Sequence, residues 1–156
     1  MDTDSLGYLI NFNSQAMGLN LDGITHEDSL VQPPSGNCIN WMAGHLLVHR
    51  HRMLDALGEP APIPEELKRY DRGGPPVTGD GPDVLPFERL RDDLNTFKDR
   101  IVAALQKAGD GALGQPDASG KSTVGRRLLV LSMHEAYHVG QLGVLRRIAG
   151  KERAIN

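Results

Sequence analysis

The stretch from Thr123 to Gly150 constrains this chain more than any other part of it. At roughly 100° per residue, Val124, Leu131, Leu142, Leu145 and Ala149 fall on one stripe, the periodicity of a helix with one face in a core. His134 and His138 fall within that stripe. They are one turn apart, so both imidazoles share a face. Buried ring nitrogens left unpaired cost about 1–3 kcal/mol each. A core-facing pair therefore needs partners, and one transition metal gripped by both rings would satisfy them together.

Three earlier segments repeat the helical pattern. From about Thr3 to Leu19, Leu6, Leu9, Ile10, Ala16 and Met17 lie near one side. From about Asn37 to Leu57 the stripe is Ile39, Met42, Leu46, Met53 and Leu57. From about Pro86 to Ala108, Phe87, Leu90, Leu94, Phe97, Ile101 and Leu105 follow the three/four rule, with Pro86 suited to the first turn and Gly109 to the end. Thr123 is a natural N-cap for the fourth helix and Gly150 its stop. Seven of the ten prolines fall between Pro60 and Pro86. A connection this long invites a functional role, permits a crossover, and has room for one short helical turn at Pro64 to Tyr70. With no alternating pattern for strands, the expectation is an all-α four-helix bundle with a long crossover loop, one domain over 1–156.

Composition narrows the function classes. Seventeen basic against twenty acidic side chains give a net charge of −3 with no basic stripe, which argues against nucleic acid as a partner. The N-terminal residues lack a positively charged leader, and no apolar run approaches ~18 residues, so a membrane partner is not expected and a cytoplasmic location is. The single cysteine, Cys38, excludes an internal disulfide and reads as an inert buried thiol.

Two histidines cannot close a metal site, and the second helix offers His45, His49 and His51. Periodicity turns His51 away from the core stripe and leaves His45 and His49 flanking it, with no choice between them. Trp41, one turn before His45, reads as a core anchor, with a pocket wall as its second reading. Gln141 lies near the His134 face and could orient a ligand or water. Glu135 stands about 100° from His134, at the side of the stripe. It reads as a surface acid, with support of the metal ligands as the alternative. Gly140 and Gly143, each costing about 1 kcal/mol relative to Ala inside a helix, suggest close approach of another helix, from a second subunit in a homodimer.

The segments Pro33-Pro34-Ser-Gly36-Asn-Cys-Ile-Asn-Trp41-Met-Ala-Gly44-His45-Leu46 and His134-Glu135-Ala-Tyr137-His138-Val-Gly140-Gln141-Leu142, with Arg146-Arg147 beyond, resemble the DinB/YfiT-like family. The resemblance implies a four-helix bundle that binds a divalent metal through three histidines. These map here onto His45, His134 and His138, so it favours His45 over His49. It also implies a metal-dependent enzyme acting on a small molecule, in some members with bacillithiol or mycothiol as co-substrate. Three neutral imidazoles leave a coordination position open, as catalytic sites do, with bonds of about 2.0–2.2 Å. Zinc, nickel, iron and manganese all accept such ligands. A non-catalytic metal- or ligand-binding protein is the alternative from another class.

A rival reading takes His134-Glu135-x-x-His138 as a zinc-protease motif with Glu135 as general base. No histidine follows His138, Glu152 lies past the helix end, and no strand is available to hold an extended peptide. Ser119-Gly120-Lys121-Ser122 resembles the end of a phosphate-binding loop. Its upstream glycine, Gly114, is out of register, and the segment reads as a plain loop.

Overall fold

The structure is a computed structural model in which residues 2–155 are described. Four long helices dominate it: α1 (Thr3–Leu21), α3 (Ile39–Ala56), α4 (Phe87–Leu113) and α5 (Val124–Ile148). A one-turn helix, α2 (His26–Ser29), was not legible as a helical segment. It is set by a reciprocal cap in which the Thr25 side chain accepts from the Asp28 amide and the Asp28 carboxylate accepts from the Thr25 amide. The expected turn in the long connection is a 3-10 helix, Glu65–Tyr70. No strand forms among the described residues; Pro116 and Thr123 make an isolated bridge around the Ser119–Ser122 loop.

The ends follow local chemistry. Thr123 accepts a hydrogen bond from the Arg126 amide and starts α5, and Gly150 at φ 80° stops it. Gly109 interrupts α4 at φ 68°, after which one further turn runs to Leu113.

Side-chain contacts fix the direction of each helix. On α1, Asn13 donates to the Ser132 carbonyl and Asn20 to the Val139 carbonyl, so α1 and α5 run parallel. Asn40 reaches the Leu85 carbonyl, Arg50 the Leu94 carbonyl and Lys107 the Glu59 carboxylate, so α3 and α4 are also parallel. Stacking of His49 on His134 and of His45 near His138 runs α3 against α5. The bundle is therefore up-down-down-up. Two parallel neighbours cannot be joined by a tight turn. The Pro/Gly-rich connection is long because it must return along the bundle from the end of α3 to the start of α4.

Around the bundle, α1 and α3 each pack on α4 and α5 and lie diagonally opposite one another. Arg50 crosses that diagonal. It is 1% exposed, and from α3 it donates to Ser14 Oγ of α1 at 2.7 Å, to the Leu94 carbonyl of α4, and to Glu135 Oε1 of α5 from Nε at 2.7 Å. Glu135 is also 1% exposed, so the surface reading of this residue is corrected. The cause is a phase error. Gly125, Leu128, Ser132 and Val139 are buried too, and the full buried set rotates the core axis of α5 by about 45° onto Glu135, leaving His134 and His138 at its edge. His51 is likewise buried, against Phe97 and the Ala61 carbonyl, because the long connection covers the side of α3 that the stripe leaves bare.

Removing one partner of a buried ion pair strands the other charge, at about 3–5 kcal/mol. Glu135→Gln is therefore expected to lower unfolding free energy by that order in denaturant titration. A change within 0.5 kcal/mol, the scale of surface substitutions, would show that the pair does not hold the bundle.

Candidate metal centre

His45 on α3 and His134 and His138 on α5 turn toward one point. One ring nitrogen from each lies within 4.8 Å of the other two. The Nε2 atoms of His134 and His138 are 3.1 Å apart, comparable to the edge between two nitrogens bonded to one ion at about 2.0–2.1 Å.

Each ring is aimed by a different device. His45 Nδ1 donates to the Tyr70 carbonyl at 2.8 Å, and a carbonyl only accepts, so the proton is on Nδ1 and the Nε2 lone pair is free. Trp41 stacks on the same ring at 4.7 Å. His138 Nδ1 donates to Gln141 Oε1 at 2.6 Å, which frees its Nε2 in the same way. His134 has no such bond: its Nδ1 is buried without a partner, and its ring lies flat against His49 at 3.9 Å. With the proton on His134 Nδ1, two Nε2 lone pairs face each other. With the proton on Nε2, a buried acceptor is orphaned. A cation placed between the rings removes the first conflict, so the donor set fits a metal.

The Tyr70 carbonyl is held in place by close packing. A Cβ on Gly44 would come within 2.3 Å of the Tyr70 ring, so α3 needs glycine there for the ring to lie against its backbone. The Tyr70 hydroxyl donates to Asn40 Oδ1 and accepts from the Leu85 amide, tying the middle of the long connection to α3 and to the connection's own end.

Above the imidazoles opens a cavity of about 760 Å³. Trp41, His49 and Gln141 line it with the three histidines, so Trp41 is both buried anchor and pocket wall. Arg72, Gly73 and Gly74 from the long connection form part of its rim, as the loop's expected role in bounding a pocket requires. Glu135 is absent from the lining and faces the bundle centre, so it does not back the ligands directly. Cys38 is buried against the Val77 carbonyl, away from the cavity. Gly140 has open space within this chain where a Cβ would be. Gly143 faces Asn20 of the same chain. Sequence reasoning missed Arg50, Arg52 and Tyr70. Arg50 carried no separate signal, because it stands among His49, His51 and Arg52 in the most polar part of the second helix.

Burial depresses the imidazoles. His134 is pushed down to about 4 and His49 to about 3, with desolvation the main cause and neighbouring positive groups adding to it. His45 and His138 are lowered for the same first reason. All four are neutral near pH 7, the form that binds metal.

The DinB superfamily profile matches residues 16–142, a span that contains His45, His134, His138 and Gln141. The chain belongs to the DinB superfamily. No curated protein matches it. Among the described residues, no helix is long and apolar enough to cross a membrane.

Because His134 and His49 titrate lower in the folded chain than the usual value near 6.5, the unfolded state takes up protons first on acidification. The stability this supplies is present above about pH 6.5 and is lost as pH falls toward about 4. Metal-free protein should therefore lose stability across that window, and His134→Gln should flatten the slope of unfolding free energy against pH. An unchanged slope would contradict the assignment.

Proposed function

We propose that this chain is a metal-dependent enzyme acting on a small molecule, with a divalent transition metal held by His45, His134 and His138. The observation that carries the reading is the convergence of three imidazoles, two with their tautomers set by acceptors, on an open cavity. A metal there would supply Lewis acidity, able to polarise an electrophile or stabilise a thiolate. The chain's own residues do the rest. Tyr70 and Gln141 keep the Nδ1 protons of His45 and His138, Trp41 and His49 brace the rings, and the glycines at the rim leave the cavity open to substrate. A low-molecular-weight thiol of the bacillithiol or mycothiol kind as co-substrate is the finer reading, supported by the family resemblance.

The alternative, a non-catalytic metal- or ligand-binding protein, would need a fourth protein ligand to close the site. His49 is the only further imidazole nearby, and it presents its ring face to His134. Its Nε2 faces Arg52 Nη1 at 3.4 Å, and it does not belong to the converging group. The protease alternative loses its base, because Glu135 is bound to Arg50. We also propose a homodimer through the outer faces of α1 and α5. Tyr8 and Phe12 on α1, and Met133 and Val144 on α5, are all more than half exposed and lie outside the cavity lining.

Trp41, the one tryptophan, stacks on His45 and reports on the site. Tag-free protein stripped of metal should bind one equivalent of Co²⁺ or Ni²⁺ per chain with quenching of Trp41 fluorescence. His138→Ala should weaken that binding at least a hundredfold, since two imidazoles remain. Binding that ignores the substitution would sink the assignment. Light scattering at micromolar concentration should give the mass of two chains, falling to one on Met133→Lys; a monomeric wild type would refute the dimer.

A further inference from the structure

The cavity over the imidazoles is lined by three arginines, Arg52, Arg72 and Arg127, and by no carboxylate. That imbalance is local, because the chain as a whole has more acids than bases, at a net charge of −3. Asp55 and Asp117 line a neighbouring pocket with Arg52 and Arg127, and Asp117 feels the charge of Arg127; the acid that pairs with one of the three arginines is Asp71. It holds Arg52 Nη2 at 2.6 Å and so braces Arg52 against His49. Among the described residues, no carboxylate lies within ion-pair distance of Arg72 or Arg127. Both are exposed, with their guanidinium forks unclaimed by other side chains.

Position adds to charge. Arg127 precedes His134 by seven residues on α5, two turns along the same helix face, or roughly 10 Å. Between them Val130 and Leu131 give the cavity an apolar floor. The cavity thus has a cationic end and an imidazole end separated by a short apolar stretch. Its neutral imidazoles do not offset the arginines, and a bound divalent metal would make the whole more positive. Guanidinium groups pair in bidentate fashion with carboxylate and phosphate oxygens, and such pairs gain strength where water is partly excluded.

We propose that the cavity binds a small molecule bearing carboxylate or phosphate oxygens, with Arg72 and Arg127 holding that anionic end while its other end faces His45, His134 and His138. The assignment rests on the reading of this cavity as a substrate site and names the class of substrate it takes. Arg52, fixed by Asp71, adds inner positive charge and limits how the anion turns.

The test is isothermal titration calorimetry on the full chain, metal-free and Zn²⁺-loaded, with succinate, inorganic phosphate and the uncharged isostere succinamide as probes. Succinate or phosphate should bind saturably, and succinamide should give no binding heat. The double variant Arg72→Ala/Arg127→Ala should weaken anion binding at least tenfold while keeping the wild-type affinity for Zn²⁺. Arg72→Lys/Arg127→Lys should recover part of the loss. Binding of succinate alone would assign a carboxylate ligand, and binding of phosphate alone a phosphorylated one. Succinamide binding as well as succinate, no binding of either anion, or anion affinity within twofold of wild type in the alanine variant would each overturn the proposal. The metal titration of the same samples separates the two readings. Failure of Zn²⁺ to bind counts against the metal site, and the metal-free arm still decides the anion site.

Discussion

The guanidinium of Arg50, carried on α3, bonds to α1, α4 and α5 and so links all four long helices. The parallel pairs, α1 with α5 and α3 with α4, are not joined by short hairpins, so their register must come from contacts in the interior. Apolar side chains tolerate sliding, because one leucine packs about as well as the next. A buried charge does not: displaced by a turn, it loses its partner and costs several kcal/mol. Arg50 and Glu135 thus set α3 against α5 to within a hydrogen bond, with Ser14 and the Leu94 carbonyl adding α1 and α4. His49 is the residue before Arg50, and His134 the residue before Glu135. The same lock that orders the core therefore brings the imidazoles into one place.

Within that frame the site is aimed by three unlike contacts: a backbone carbonyl, a side-chain amide and a ring stack. The first depends on the furthest part of the chain. Tyr70 belongs to the long connection, and its carbonyl reaches His45 because Gly44 lets its ring lie on α3 while Asn40 and the Leu85 amide hold its hydroxyl. The connection that the topology requires is thereby put to use. The loop that returns the chain from α3 to α4 orients one candidate ligand and supplies Arg72 at the rim.

Much of this was legible in the residues. Strong three/four periodicity gave the four long helices, and Thr123 and Gly150 marked the ends of α5 through capping chemistry that acts locally, whereas Gly109, expected as the end of α4, breaks it one turn before its end at Leu113. The proline cluster announced a crossover. The histidine pair at one-turn spacing pointed to a shared ligand, whereas the choice of His45 over His49 needed the family resemblance, because both flank the same stripe. What failed, failed where burial comes from beyond the helix itself. His51 lies on a face bare by periodicity and is covered by Ala61 and Phe97. Glu135 reads as a surface acid because a stripe drawn without Gly125, Leu128, Ser132 and Val139 is out of phase, and because its partner, Arg50, is distant in sequence. Arg52 and Arg72 belong to the cavity for the same reason: the loop that faces them carries no periodic signal.

Four imidazoles crowd the site and only three converge, and the reason lies in what flanks the fourth. His49 Nε2 faces the Arg52 guanidinium, itself tethered by Asp71, so the nitrogen that might have joined the group is turned toward a cation. With Nε2 turned there and Nδ1 buried without a partner, the ring meets His134 by its face. That contact braces a ring which has no hydrogen bond of its own at Nδ1. The Asp71–Arg52 pair thus does two things through one ion pair: it keeps His49 out of the converging set, and it keeps a positive charge beside the cavity. Openness at the imidazoles and positive charge along the cavity wall are consequences of the same contact.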